Sequence, residues 1–227
     1  MNSPTENPNE DLAYQKAILG SVSRTFALTI PLLPPKIEVV IGNTYLLCRI
    51  VDTIEDAAEL TPSTKQNLSK LFLEAVLGDI PVELFVEPCL DSLKNYSNTD
   101  ELDLIAHTPT VLRIFHTFPS NDQAAISRCV SIMSTGMSHF HNRQTKDGLK
   151  DLAEFEEYCY VVAGVVGELL TTVFSNYSPQ FAKQMGGHEQ LAIDFGQALQ
   201  MTNILKDSPE DSARGVSWKP ANISQIE

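Results

Sequence analysis

The chain has 227 residues, 43% hydrophobic and 20% charged, which suits a large folded domain and excludes a disordered polymer. The 29 acidic residues outnumber 16 basic ones, leaving a formal charge of −13, so a nucleic-acid partner with its need for a basic footprint is excluded. Cys48, Cys89, Cys129 and Cys159 are scattered without a CxxC pair and read as buried free thiols of a reducing compartment.

Residues 1–10 are polar and acidic and read as a disordered tail rather than a signal or transit peptide. A helix is predicted from Asp11 to Leu19, its acidic first turn matching the dipole. Pro31, Pro34 and Pro35 then mark a bend before a long helix from about Lys36 to Leu60. Thr61 and Pro62 read as N-cap and first residue of the next helix, which ends at Gly78. Further helices are predicted at 82–96, 100–107, 109–117, 121 to about 142, 152–176, and 179 to about 207, the last interrupted at Gly186–Gly187. Period-2 strands with hairpin turns are absent, so the expected class is all-α, with one domain over 11–227. The longest apolar stretch, CYVVAGVVGELLTTVF, is broken by Glu168 and reads as too short to span a bilayer.

Two acidic clusters stand out. In CRIVDTIEDA, a helix puts Asp52 and Asp56 on one face with Glu55 beside them, and no lysine or arginine follows closely to neutralise them. Far along the chain, Asn203, Asp207 and Asp211 repeat at one-turn spacing, with Glu210 beside them and Gln200 a turn earlier. Each cluster alone reads equally as a solvated helix face, and Ser208-Pro209-Glu210-Asp211 also reads as a helix start with Ser208 as N-cap. Together, hard oxygen donors on two helices suit Mg²⁺ shared with a diphosphate. Arg49, one turn before Asp52, and Tyr45, one turn before Arg49, would supply a phosphate fork and a proton donor; Ser23 and Arg24 form a second polar notch. Ala163, Gly164 and Gly167 strip one helix face of side chains, which fits close helix packing or, beside Val162, Val166 and Leu170, a slot for a hydrocarbon.

Four segments in order, SRTF, YLLCRIVDTIEDA, YCYVVAGVVGELLT and FGQALQMTNILKDSPEDSARGVSW, resemble the squalene/phytoene synthases, with likeness to both the squalene and the dehydrosqualene branches. The resemblance runs from about Leu12 to Pro220 and implies an isoprenoid-synthase helical fold around a central cavity. It implies head-to-head condensation of two farnesyl diphosphates through presqualene diphosphate, with Mg²⁺ as cofactor and NADPH for a reductive second step, or a dehydrosqualene or phytoene product without NADPH. By similarity, Asp52, Glu55, Asp56, Asn203, Asp207 and Asp211 hold metal. Ser23, Arg24, Phe26, Arg49, Val162, Ala163, Gly167, Gln200 and Asn203 meet substrate, and Tyr158, Tyr45 and Arg49 assist the chemistry. The expected place is the cytoplasm, with peripheral contact at the inner membrane face for product release, and no protein partner is expected. Two departures accompany the resemblance. Pro209 falls between Asp207 and Asp211, where a kink would displace Asp211. The sequence also stops soon after GVSWKP, where family members continue, so a C-terminally incomplete domain with an exposed apolar wall is expected.

Overall fold

The computed structural model describes residues 7–23, 25–141, 147–213 and 215–221. Among these, regular structure is helical, and the one β-type pairing is an isolated bridge between Leu149 and Pro220. The chain divides into two compact units, residues 1–130 and 131–227, with the division inside a helix.

In the first unit, α1 (Pro8–Val22) starts earlier than predicted, because the Asn7 side chain accepts from the Asn9 amide at 3.1 Å and Pro8 fits the first turn. The proline-rich bend becomes a short helix α2 (Phe26–Thr29) and a 3₁₀ turn (Ile30–Leu32). Pro35 opens α3 (Pro35–Asp56), which ends four residues before its predicted stop. The end is set from outside the segment: Lys65 Nζ of α4 (Pro62–Leu77) donates to the Glu55 carbonyl, one of the acceptors that a helix terminus leaves unused. Thr61 caps α4 as expected, its Oγ1 accepting from the Thr64 amide at 3.2 Å, and Gly78 closes it at φ +77°. There follow α5 (Glu83–Leu93), α6 (Thr99–Ala106), α7 (Thr108–Phe115) and α8 (Ser120–His141).

α3 is the central helix of this unit, with Leu46, Leu47, Ile50 and Ile54 fully enclosed. Phe72 and Phe85 pack with ring centroids 5.0 Å apart. The buried Asn43 amide ties α3 to both neighbours, donating to Gln15 Oε1 at 3.0 Å and to the Val111 carbonyl at 2.9 Å. Arg113 clamps Asp11 with two bonds of 2.9 and 2.6 Å, which fixes α1 on α7.

In the second unit, α9 (Leu152–Cys159), a π-helical turn (Tyr160–Gly164) and α10 (Val165–Tyr177) run on as 26 helical residues, within which an 18-residue window has a mean hydropathy of 1.5. By length and composition alone that run is sufficient to cross a membrane, whereas the 16-residue apolar stretch reads as too short, because the helix continues past that stretch at both ends; a core helix meets the same criterion, and 39% of the window is buried. Its only interior acid after the π turn, Glu168, accepts from the Tyr160 hydroxyl at 3.0 Å. Then come α11 (Pro179–Met185), the predicted break with Gly187 at φ +83°, and α12 (Glu189–Ala213).

α12 passes straight through Pro209, six residues beyond its predicted end, so Ser208 lies inside the helix and is not an N-cap. Proline removes one backbone donor, and the carbonyl that loses its partner is that of Leu205, a residue 66% exposed where water can replace the bond. The small-residue face of the π turn and α10 packs tightly on α12. A methyl added to Gly167 would lie 2.7 Å from the Ala192 carbonyl carbon, and one added to Gly196 would lie 2.9 Å from that of Ala163. All four cysteines are free and buried, and burial pushes the thiols of Cys89 and Cys159 up to about 12.

Candidate functional site

Between Ile41 and Glu55, every residue of α3 is buried except Tyr45, Arg49 and Asp52. These three recur at one-turn spacing, and the exposed Asp56 continues the row. A helix that is otherwise core therefore opens one polar stripe, carrying a phenol, a guanidinium and two carboxylates. Burial, then repulsion from Asp56, pushes the Asp52 carboxyl up to about 7; Arg49 pulls it down and Glu55 adds to the rise. At Asp52, then, burial and a neighbouring carboxylate outweigh the pull of the arginine.

Arg49 is shared. Its NH2 donates to Glu101 Oε1 at 2.6 Å, while its Nε is buried with no hydrogen-bond partner among the described residues. Against burial, Asp52 and Glu101 hold the guanidinium above its usual range. Glu101 sits at the third position of α6, where its other oxygen accepts from the Asn98 amide at 3.2 Å, so a capping box also aims the arginine. The Tyr45 hydroxyl donates to the Val22 carbonyl at 3.1 Å, and its ring lies 5.4 Å from that of Phe26.

Glu55 is off this stripe. It is fully buried, its Oε1 accepts from Ser69 Oγ at 3.3 Å, and Lys65 of α4 lies beside it. Burial lowers the Lys65 ammonium while Glu55, Asp56 and Glu59 act to raise it. The neutralising lysine that local sequence lacks comes from the next helix. Ser23 is buried at the end of α1, and its Oγ accepts from the Phe26 amide at 3.0 Å, which shapes the turn into α2. The Phe26 side chain is 53% exposed, and Arg24 lies outside the described residues.

In the second unit, α12 carries an apolar row, Leu191, Phe195 and Leu199, each at least half exposed, that leads at the same spacing into Asn203 and Asp207. Asn203 is exposed, Gln200 is half-buried, and Asp207 lies 3.5 Å from Lys206 Nζ. Asp211 stays in register on the unbroken helix, buried at its last turn. Tyr158, at the end of α9, is buried with its ring stacked on Trp218 (centroids 4.3 Å, interplanar angle 1°) and against the edge of Phe140 at 5.3 Å. Val162 and Ala163 lie half-buried in the π turn, a helical defect frequent at functional sites, and Gly167 follows in α10. The close-packing reading describes Gly167, which faces the Ala192 backbone.

Residues 19–226 match the squalene/phytoene synthase family. The chain belongs to that family. It is 31% identical over 211 residues to the squalene synthase clz20 of Cochliobolus lunatus, covering 91% of this chain and 47% of that protein. It is 30% identical over 201 residues to the Botryococcus squalene synthase of Botryococcus braunii (88% and 40% covered) and 29% identical over 209 residues to the squalene synthase ERG9 of Saccharomyces cerevisiae (91% and 45%). The solved complex of TcSQS with the ligand E5700 superposes with a TM-score of 0.75 at 27% identity, covering 95% of this chain and 59% of that one. This family member therefore has the helical fold of squalene synthase and spans about half the length of the curated relatives it matches.

Among the described residues, no three His, Cys, Asp or Glu side chains converge closely enough to hold a metal ion by themselves. Mg²⁺ nevertheless suits the donors present, since it takes one or two carboxylates and completes its shell with water and phosphate oxygens. The carboxylates of Asp52 and Asp56, a turn apart, have the chemistry to hold one, as does Asp207 with Asn203.

Proposed function

We propose that this chain carries the substrate-binding half of a prenyl transferase that joins two farnesyl diphosphates head to head. The polar stripe on α3 carries the reading: Tyr45, Arg49 and Asp52 are the open positions of an otherwise buried helix, followed by Asp56. Stripes of that composition recognise diphosphate, whereas a solvated face has no need of a buried guanidinium nitrogen. The amphipathic row of α12, apolar at Phe195 and Leu199 and polar at Asn203 and Asp207 with Gln200 beside it, matches an allylic diphosphate with its greasy tail and charged head.

In this reading Asp52 and Asp56, and separately Asn203, Asp207 and Asp211, hold Mg²⁺, which when bound neutralises diphosphate charge and eases its departure. Arg49, and Arg24 by similarity, fork the phosphate oxygens; Gln200 orients the head group, with Glu55 and Lys65 fixing the end of α3. Breaking the C1–O bond of the first substrate sends the electron pair to diphosphate. The allylic cation is attacked by the double bond of the second substrate, and loss of a proton gives the cyclopropane of presqualene diphosphate. Tyr158 is the phenol assigned to relay that proton, its ring shielded from water by Phe140 and Trp218. Ser23, Phe26, Val162 and Ala163 are assigned to the walls that the chains contact, and Gly167 to the contact of α10 with α12. A hydride from NADPH would reduce the rearranged cation to squalene; its omission leaves dehydrosqualene. Product release at the cytoplasmic membrane surface belongs to the same proposal.

The test is incubation of the 227-residue chain with farnesyl diphosphate and Mg²⁺, with and without NADPH, reading diphosphate release and hydrocarbon product. Asp52→Asn and Asp207→Asn are each expected to lower release by about a hundredfold or more. Release unchanged in either variant would remove the metal assignment, and no release from the unaltered chain would remove the activity.

A further inference from the structure

We propose that Trp218 is a positioning residue for Tyr158, a role that rests on the transferase reading above. The two rings are parallel within 1° at 4.3 Å, and Phe140 meets the same tyrosine edge-on at 69° and 5.3 Å. A phenol held on its face and against a second ring cannot swing to another χ1 rotamer without breaking both contacts, so the position of its hydroxyl is fixed.

The tryptophan is delivered by a strap rather than by a helix. Residues 216–221 leave the end of α12, where the Val216 amide donates to the Asp211 carbonyl at 3.0 Å. They lie beside residues 148–150, with the Leu149 amide donating to the Lys219 carbonyl at 3.0 Å and the Ala221 amide to the Leu149 carbonyl at 2.7 Å. Gly148 makes this approach possible: it adopts φ +84°, and a methyl there would lie 3.3 Å from the Lys219 carbonyl carbon and overlap its oxygen. The segment that follows the second acidic row thus places the ring that orients the tyrosine. A loose strap would leave Tyr158 in place on α9 but free to change rotamer and carry its hydroxyl away.

The experiment follows the ring-edge NMR signals of Tyr158 in the 227-residue chain, one of six tyrosines, assigned by their loss in Tyr158→Phe. A ring flip leaves the hydroxyl in place but needs room around the ring, so it reports the packing: a tightly held ring gives separate signals for its two edges and a loose one gives an average. The unaltered chain and Trp218→Phe are expected to show the resolved pair, and Trp218→Leu the average. In diphosphate release from farnesyl diphosphate and Mg²⁺, Trp218→Leu should lose about tenfold in kcat with KM within about twofold, and Trp218→Phe should restore most of the loss. An averaged signal in the unaltered chain, a resolved pair surviving in Trp218→Leu, or a change confined to KM overturns the proposal while the transferase reading stands. A locked ring in a chain that releases no diphosphate overturns the transferase reading, and the positioning role falls with it.

Discussion

Gly167→Ala separates local propensity from tertiary packing, because the two predict opposite signs. Alanine is the better helix former by about 1 kcal/mol, so propensity alone predicts a more stable α10. The added methyl, however, would stand 2.7 Å from the Ala192 carbonyl carbon, about 1 Å inside ordinary carbon–carbon contact. The obstacle is the backbone of α12, which has no rotamer to move, so relief requires α10 and α12 to separate. Overpacking of this kind costs about 3 kcal/mol at the upper end of its usual range, leaving a net loss of about 2 kcal/mol. For a chain of this size that corresponds to a melting temperature lower by about 4–8 °C. Gly20→Ala in α1 is the control: nothing lies within 4 Å of its added methyl, so propensity should act unopposed and raise the melting temperature by about 2–4 °C. Thermal melting followed by far-UV circular dichroism reads both. A melting temperature for Gly167→Ala at or above that of the unaltered chain would refute the close approach of the two helices.

Asp52 sets a pH dependence. Its folded value of about 7 lies above the ordinary 3.8, so the folded state binds the extra proton and stability falls as pH rises between about 4 and 7. That gap is worth about 4 kcal/mol in a dry interior and about 2 kcal/mol at this half-open position. Asp52→Asn should flatten the fall in urea titrations without metal, as should millimolar Mg²⁺ on the unaltered chain; a parallel pH curve for Asp52→Asn would disprove the raised Asp52 carboxyl. Lys65→Met should cost about 3 kcal/mol, because it leaves Glu55 buried without its cation, whereas Lys65→Met with Glu55→Gln should cost less than the two single changes together. Strict additivity in that cycle would show that the two residues do not act as a pair.

The legible parts of the fold were those decided within a turn or two of chain. Thr61, Pro62 and Gly78 bracket α4 by local chemistry alone, and the structure places cap and stop where those residues put them. The row of Tyr45, Arg49, Asp52 and Asp56 follows from helical spacing, as does that of Asn203, Asp207 and Asp211. Pro209 shows the limit of such rules: its missing donor does not end α12, since the carbonyl left without a partner belongs to Leu205, a residue open to solvent.

By itself, then, the sequence determined an all-helical chain, the residues that share each polar row, and the family. Tertiary structure alone decided how those rows are charged and held. Glu101 grips Arg49 from 52 residues away, Lys65 faces Glu55 from the next helix, and Trp218 reaches Tyr158 through a strap. Spacing reports which side chains share a face, but burial and partners come from elements distant in sequence, and these fix whether a carboxylate meets a cation, a lysine or water. Glu55 is the clearest case: by spacing it stands beside Asp52 and Asp56, and by packing it turns inward to Ser69 and Lys65.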